Sequence, residues 1–407
     1  MKINNLIKTK AIPSFCTANI DVLKSIMFFC NLKKLPCLIE CTSNQVNQDG
    51  GYTNKTPKKF IKEMSNLRKK IKLSKNQLFI GGDHLGPLPW KKKNKKIAIK
   101  NSIKLIESFL KEKFCKIHID TSIKCKDDKI FNNEIIFERT KQILENIKIK
   151  KRINDKFLII GSEVPISGSG DNKRVVLTTK KQIINECIKF RQVLKGSKLD
   201  KNRKFGLVVE PGMKYMHKFL KKPNLKNFSD KKIFSKKNNF VFEAHSTDYQ
   251  PFSILKKLVD NNFKFLKVGP ELTYNYSRSL FFMERLEKKL KKKRSLIKIN
   301  IINSMKKKNK YWVGYYKANK VNLFLESKLD RMRYYLNNQK VINSINILKK
   351  NINTISLEKI LTLIPKKQKK EFLFYNKKRL SHFENMKMIF VSKSLLRYYS
   401  ACGYKIK

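Results

Sequence analysis

Eight short runs rich in Ile, Val, Leu and Phe recur between residue 12 and about residue 295, each followed by a longer segment dominated by Lys, Leu and Ile. The runs are IPSFCTA (12–18), PCLIECT (36–42), LFIGGDH (78–84), KIHIDTS (116–122), FLIIGSEVP (157–165), FGLVVEPG (205–212), FVFEAHSTD (240–248) and FLKVGPELT (265–273). Apolar runs this short read as buried strands. The segments between them place apolar residues at steps of three and four, the period of a helix with one buried face. Helices are expected over Thr56–Leu73, Lys95–Lys113, Asn132–Lys150 and Thr178–Gly196. TPKKF at Thr56 offers a capping hydroxyl followed by proline at the first helical position, and TTKKQ at Thr178 offers a similar start. Strands that alternate with helices require a parallel sheet.

Eight such units fit the size and count of a closed (β/α)8 barrel, so the fold class is α/β. An open doubly wound sheet is the alternative, but the glycine-rich dinucleotide fingerprint it often carries is missing. The ionisable residues favour the barrel. Glu40, Asp83, His84, His118, Asp120, Glu163, Glu210, Glu243, His245, Asp248 and Lys267 all fall toward the carboxyl ends of the runs, where barrel enzymes assemble their sites. A polar residue at one strand end is ordinary exclusion from the interior; the same placement on eight strands argues for a site.

Residues 296–407 carry no strand pattern but many aromatics, as in YWVGYYKANK and LDRMRYYLNNQKV. The expectation is a barrel over 1–295 and a helical extension over 296–407 that packs on the barrel or on a partner, a second copy of the chain included.

The 407 residues include 93 Lys+Arg against 31 Asp+Glu, a formal charge of +62. The lysines are spread along the whole chain and no nucleic-acid-binding motif accompanies them. The reading is compositional drift of the surface, without a specific nucleic-acid partner. The eight cysteines lie inside apolar runs with no Cys-x-x-Cys pair, which fits a reducing compartment. No apolar run approaches the length of a membrane span and the amino terminus lacks a secretory pattern, so a soluble cytoplasmic protein is expected.

FIGGDHLGPLPW (79–90) sets an acid beside a histidine at the end of the third run. At a strand terminus both side chains can reach the mouth, with Gly81, Gly82 and Gly86 expected to let the backbone turn tightly around a ligand. An imidazole there can ligate a divalent metal, zinc or manganese, while the neighbouring carboxylate moves a proton. The expected assignment is His84, Glu163 and His245 as an open three-ligand metal site and Asp83 as the catalytic group. Asn44, Gln45 and Gln48 in TSNQVNQDGGYT suit a polyhydroxylated ligand because amides both donate and accept, although such a loop is equally often structural. Asp120, Asp248 and Lys267 are further expected contacts for substrate. SEVPISGSGDN (162–172) offers either a phosphate nest or a flexible lid.

Nine stretches, in order, carry a resemblance: IECTSNQVNQDGGYT, GGDHLGP.PW, KIHIDTS, GSEVP, EPG, FEAHSTDYQ, KVGPELT, DRMRYY and the terminal Tyr-x-x-Ala-Cys. Together they closely resemble the large, non-catalytic subunit of class II tagatose-1,6-bisphosphate aldolase, from about Ile12 to Cys402. The resemblance implies a barrel related to the zinc-dependent ketose-bisphosphate aldolases, with Asp83 and His84 matching their proton-transfer acid and metal ligand. Glu163 and His245 become the nearest equivalents of the later ligands, and Glu210 a weaker one. It implies a sugar phosphate as ligand, and a smaller zinc aldolase subunit as the partner this chain stabilises or activates, in galactitol and N-acetylgalactosamine catabolism. Some relatives look like metal-dependent ketose 4-epimerases, which keeps an independent enzyme as the alternative. Two positions depart from the family: Asp49 stands where an aromatic is usual and Glu210 where glutamine is, and both add carboxylates.

Overall fold

The computed structural model describes residues 3–161, 177–200, 202–225, 228–289, 294–316 and 321–406. Each of the eight apolar runs supplies one strand: β1 (Ile12–Cys16), β2 (Cys37–Thr42), β3 (Leu78–Leu85), β4 (Lys116–Ile119), β5 (Phe157–Ile160), β6 (Phe205–Val208), β7 (Phe240–Ala244) and β8 (Phe263–Val268). They form a closed parallel barrel in which each strand pairs with its sequence neighbours and β8 returns to β1, with Ser14 opposite Lys267. The intervening helices begin where local chemistry dictates. Thr56 accepts the Lys59 amide with Pro57 at the first helical position, and Thr179 with Gln182 makes a reciprocal capping box, so the second threonine of the TT pair is the cap.

The barrel interior is stratified. Ile12, Leu38, Phe79, Phe157, Val241 and Phe265 pack at the amino end against Ile3 and Ile7 of a short helix, Ile3–Thr9, that plugs the bottom. Above them lies a buried charged layer. Lys116 Nζ is 2.5 Å from Glu40 and 2.6 Å from Glu243, and Lys267 Nζ is 3.3 Å from Glu243 and 3.8 Å from Glu40. Gly81, in register with both Glu40 and Lys116, leaves this layer room: a Cβ there would stand 3.1 Å from the Glu40 carboxylate. Taking these charges out of water is costly, and only the correct strand register pairs all of them.

The C-terminal helix, His382–Ala401, lies against β1, against Ile20–Leu32 and Phe252–Asp260, and against the last barrel helix, Pro270–Glu287. It therefore fills the place beside β1 between the first and seventh barrel helices. Pro270–Glu287 is sandwiched between it and the helices Ile297–Lys307 and Gln339–Asn353 of the extension. Tyr399 donates its hydroxyl to the Pro36 carbonyl at 2.5 Å, Tyr398 donates to Thr247 O at 2.6 Å, and the Tyr399 ring packs on Phe15 and Phe29. Among the described residues no helix is long and apolar enough to cross a membrane.

Candidate metal centre at the barrel mouth

The third strand departs from regular register between Gly82 and Leu85, and His84 sits in that irregularity with φ of 49°. A left-handed conformation costs a residue with a side chain about 1–2 kcal/mol, and such strain concentrates at functional sites. Its effect is to aim two consecutive side chains, Asp83 and His84, into the mouth, where a regular strand would send them to opposite faces. Ser246 and Tyr249, after β7, adopt the same backbone region.

The glycines beside this pair serve a different purpose from the one the sequence suggests. Neither Gly81, Gly82 nor Gly86 has a positive φ. They are small because neighbours crowd them: a Cβ on Gly82 would meet the Phe109 ring at 2.6 Å, and one on Gly86 would meet the Asp120 carbonyl oxygen at 1.7 Å. Gly86 lets the end of β3 lie against the end of β4, and Gly82 lets the same strand lie against the helix Lys95–Leu110.

Three imidazoles converge. The ring centroids of His84, His118 and His245 lie 5.0, 5.1 and 5.3 Å apart, and with Asp83 they offer ligand atoms within 4.8 Å of one another. A carboxylate holds each ring. His84 Nδ1 is 2.8 Å from Asp120 Oδ2, His118 Nδ1 is 2.9 Å from Asp83 Oδ1, and His245 Nε2 is 2.9 Å from Glu243 Oε1. A carboxylate on one ring nitrogen fixes the orientation of the other, as in metal-binding histidines generally. His118 Nε2 is buried with no hydrogen-bond partner among the described residues.

Burial and the surrounding charges bias His118 and His245 toward the neutral form and hold Asp83 and Glu243 as carboxylates. Burial lowers the pKa of His118 and, with the Lys267 charge, takes His245 to about 3. Burial alone would raise Asp83, but His84, Lys267 and the His118 hydrogen bond outweigh it and hold the carboxyl well below its usual range. Glu243 is likewise depressed, its burial overcome by Lys116 and Lys267, whereas burial prevails at Glu40 and raises it. Imidazole nitrogens gathered beside an excess of carboxylate are what a divalent cation binds, and donors already within 4.8 Å of one another need only a small inward movement to reach about 2.0–2.2 Å from one point. The residues present therefore fit such an ion.

The structure brings Asp83, His84, His245 and Lys267 together, with Lys267 paired to Asp83. Asp120 touches His84 and takes the Ser122 amide and hydroxyl on its other oxygen, so it orients a ring. Asp248 accepts the amides of Gly269 and Glu271 and holds the turn after β8. Gln45 is buried and lines a cleft at the mouth, Asn44 is exposed, and Gln48 donates to Asn101 O on the helix Lys95–Leu110, outside that cleft. Glu163 and the SGSG stretch lie outside the described residues. The two added carboxylates serve loops: Asp49 accepts from Trp90, and Glu210 accepts the Gly212 and Met213 amides. Sequence reasoning passed over His118 as a ligand although its run ends at the same rim; a count of strand-end histidines was the available signal.

Curated D-tagatose-1,6-bisphosphate aldolase subunits GatZ from Escherichia coli are similar to this chain. The sequence from strain 536 is 30% identical over 359 residues, 85% of this chain and 86% of that protein, and the one from strain HS is 29% identical over the same span. A crystal structure described as a probable tagatose 6 phosphate kinase from Sinorhizobium meliloti 1021 superposes with a TM-score of 0.84 at 25% identity, covering 96% of this chain and all of that one. Fructuronate-tagaturonate epimerase UxaE from Cohnella laeviribosi shares the fold, with a TM-score of 0.52 at 10% identity over 98% of this chain and 82% of that one. Residues 2–403 match the family described as D-tagatose-1,6-bisphosphate aldolase subunit GatZ/KbaZ-like, and the chain belongs to that family.

Proposed function

We propose that this chain is the large subunit of a class II tagatose-1,6-bisphosphate aldolase, stabilising and activating a separate, smaller zinc aldolase in galactitol and N-acetylgalactosamine breakdown. The observation that carries this reading is the family match across barrel and extension together. All eight cysteines are free and most are buried, which suits a reducing compartment, and we place the protein in the cytoplasm. The test is the aldolase activity and thermal stability of the small subunit with and without this chain. Equal values in both would overturn the reading.

A second reading is favoured by one observation: three converging imidazoles, two of them buried and each oriented by its own carboxylate, are a costly arrangement for a mere scaffold. It makes the chain a metal-dependent ketose or ketose-phosphate 4-epimerase in its own right. His84, His118 and His245 would hold the ion, which when bound supplies Lewis acidity toward a carbonyl oxygen. Asp83 takes the proton of the C4 hydroxyl as the C3–C4 bond breaks, and the bonding electrons pass to the C2 carbonyl as an enediolate. The released aldehyde turns, the enediolate adds to its other face, and Asp83 returns the proton to O4. Lys267, beside Asp83, offsets the negative charge of the carboxylates in the ground state. Incubating the purified chain alone with a ketohexose 6-phosphate and zinc or manganese tests this: a C4 epimer is expected, and its absence under both metals sinks the reading.

A further inference from the structure

The extension supplies a charged residue to the mouth that the barrel cannot provide. Arg331–Tyr335 form a 3-10 turn folded over the loop after β2, where Tyr334 meets Tyr52 edge to face at 5.4 Å. This turn delivers Arg333 to a narrow cleft shared with Thr17, Asn19, Gln45 and Asn337, and Cys16 forms part of its wall. Cys16 Sγ stands 3.5 Å from Asp83 Oδ2, so the cleft ends one side chain short of the imidazole cluster.

The lining is one-sided in charge. Arg333 is the only ionised group among the described residues that line it, and the Asp330 carboxyl, which interacts with the guanidinium, lies outside that lining. Arg333 donates through Nη1 to the Leu329 and Asp330 carbonyls and through Nη2 to the Tyr334 hydroxyl. A guanidinium has five N–H groups, so Nε and one Nη2 hydrogen are left without a partner among the described residues. The backbone bonds fix the plane of the fork, which is the preorganisation that bidentate recognition of a planar or tetrahedral anion needs. Asn19 spends its carbonyl oxygen on the Asp21 and Val22 amides, which leaves its amide nitrogen as a donor, whereas Gln45 spends its oxygen on the Thr42 amide and also hydrogen-bonds the Tyr52 side chain.

We infer that Arg333 anchors the anionic end of an open-chain sugar, a phosphate or a carboxylate, while the hydroxyl-bearing carbons extend toward Asp83 and the histidines. This rests on the reading of the mouth as a sugar site. Extension and barrel then make one site between them, and loss of the extension's turn removes the selectivity for charged sugars.

Calorimetric titration of the full-length chain with fructose 6-phosphate, fructuronate and fructose, in zinc or manganese, tests this. The wild type should bind at least one of the two anionic sugars tenfold or more tightly than fructose, and the better of them identifies the anion. Arg333→Ala should abolish that preference with fructose affinity unchanged, and Arg333→Lys should retain part of it. An unaltered preference in Arg333→Ala overturns the role of Arg333 and leaves the sugar site standing. Binding of none of the three by the wild type overturns the sugar site itself. A melting temperature for Arg333→Lys close to wild type separates loss of recognition from loss of fold.

Discussion

Asp120 and His84 face each other across the ends of two neighbouring strands, Oδ2 to Nδ1 at 2.8 Å, and the backbone between them is too tight to let either drift. Asp120→Asn keeps the shape and removes the charge. It should weaken zinc or manganese binding by about 10–100-fold, the usual cost of losing a carboxylate behind a ligating histidine. Metal titration decides it, and an affinity equal to wild type would show that Asp120 does not orient the ring.

Of the three rings at the mouth, His118 is the one with a buried nitrogen that has no partner among the described residues. His118→Ala should cost metal affinity comparable to His84→Ala and leave the fold cooperative. If only His84 and His245 mattered to binding, the cluster would be a two-histidine site and His118 a support for Asp83.

Lys116 neutralises two carboxylates in a layer with no access to water. Lys116→Met takes the nearer cation from Glu40 and Glu243 and leaves Lys267 to serve both, which should destabilise the fold by about 3–5 kcal/mol in denaturant unfolding. Adding Glu40→Gln should recover part of that loss; a second mutation that only adds to the first would contradict the pairing.

Burial pushes the carboxyls of Asp248 and Asp330 up to about 7, against about 3.9 for an unfolded aspartate. Between those values the folded chain holds protons that the unfolded chain has released. Their contribution to stability is complete below about pH 4 and is lost as pH rises toward 7. The urea midpoint should fall between pH 5 and pH 8, and Asp330→Asn should flatten that fall.

Much of this was legible in the chain. The eight apolar runs specified the strands because a parallel strand buried on both faces tolerates little else. Asp83, His84 and His245 were visible as polar residues where such runs end. What the sequence withheld was direction. Gln48 and Asp248 sit in loops, where hydrogen bonds to backbone decide which way a side chain turns, and no periodicity records that. The glycines misled for a related reason: φ and close contact both select glycine, and only the positions of Phe109 and Asp120 show that contact selected these. Arg333 was hidden in a helical tail whose fold onto the mouth depends on contacts distant in sequence.

The helix His382–Ala401 carries an implication for folding. It packs on β1, and its Tyr399, whose ring lies on Phe15, bonds Pro36 across 363 positions of sequence. A contact that distant must wait for a long loop to close before it stabilises anything. Closure of the barrel and docking of this helix are therefore expected to form one late cooperative step, and Tyr399→Phe should slow the final folding phase more than it slows any earlier one.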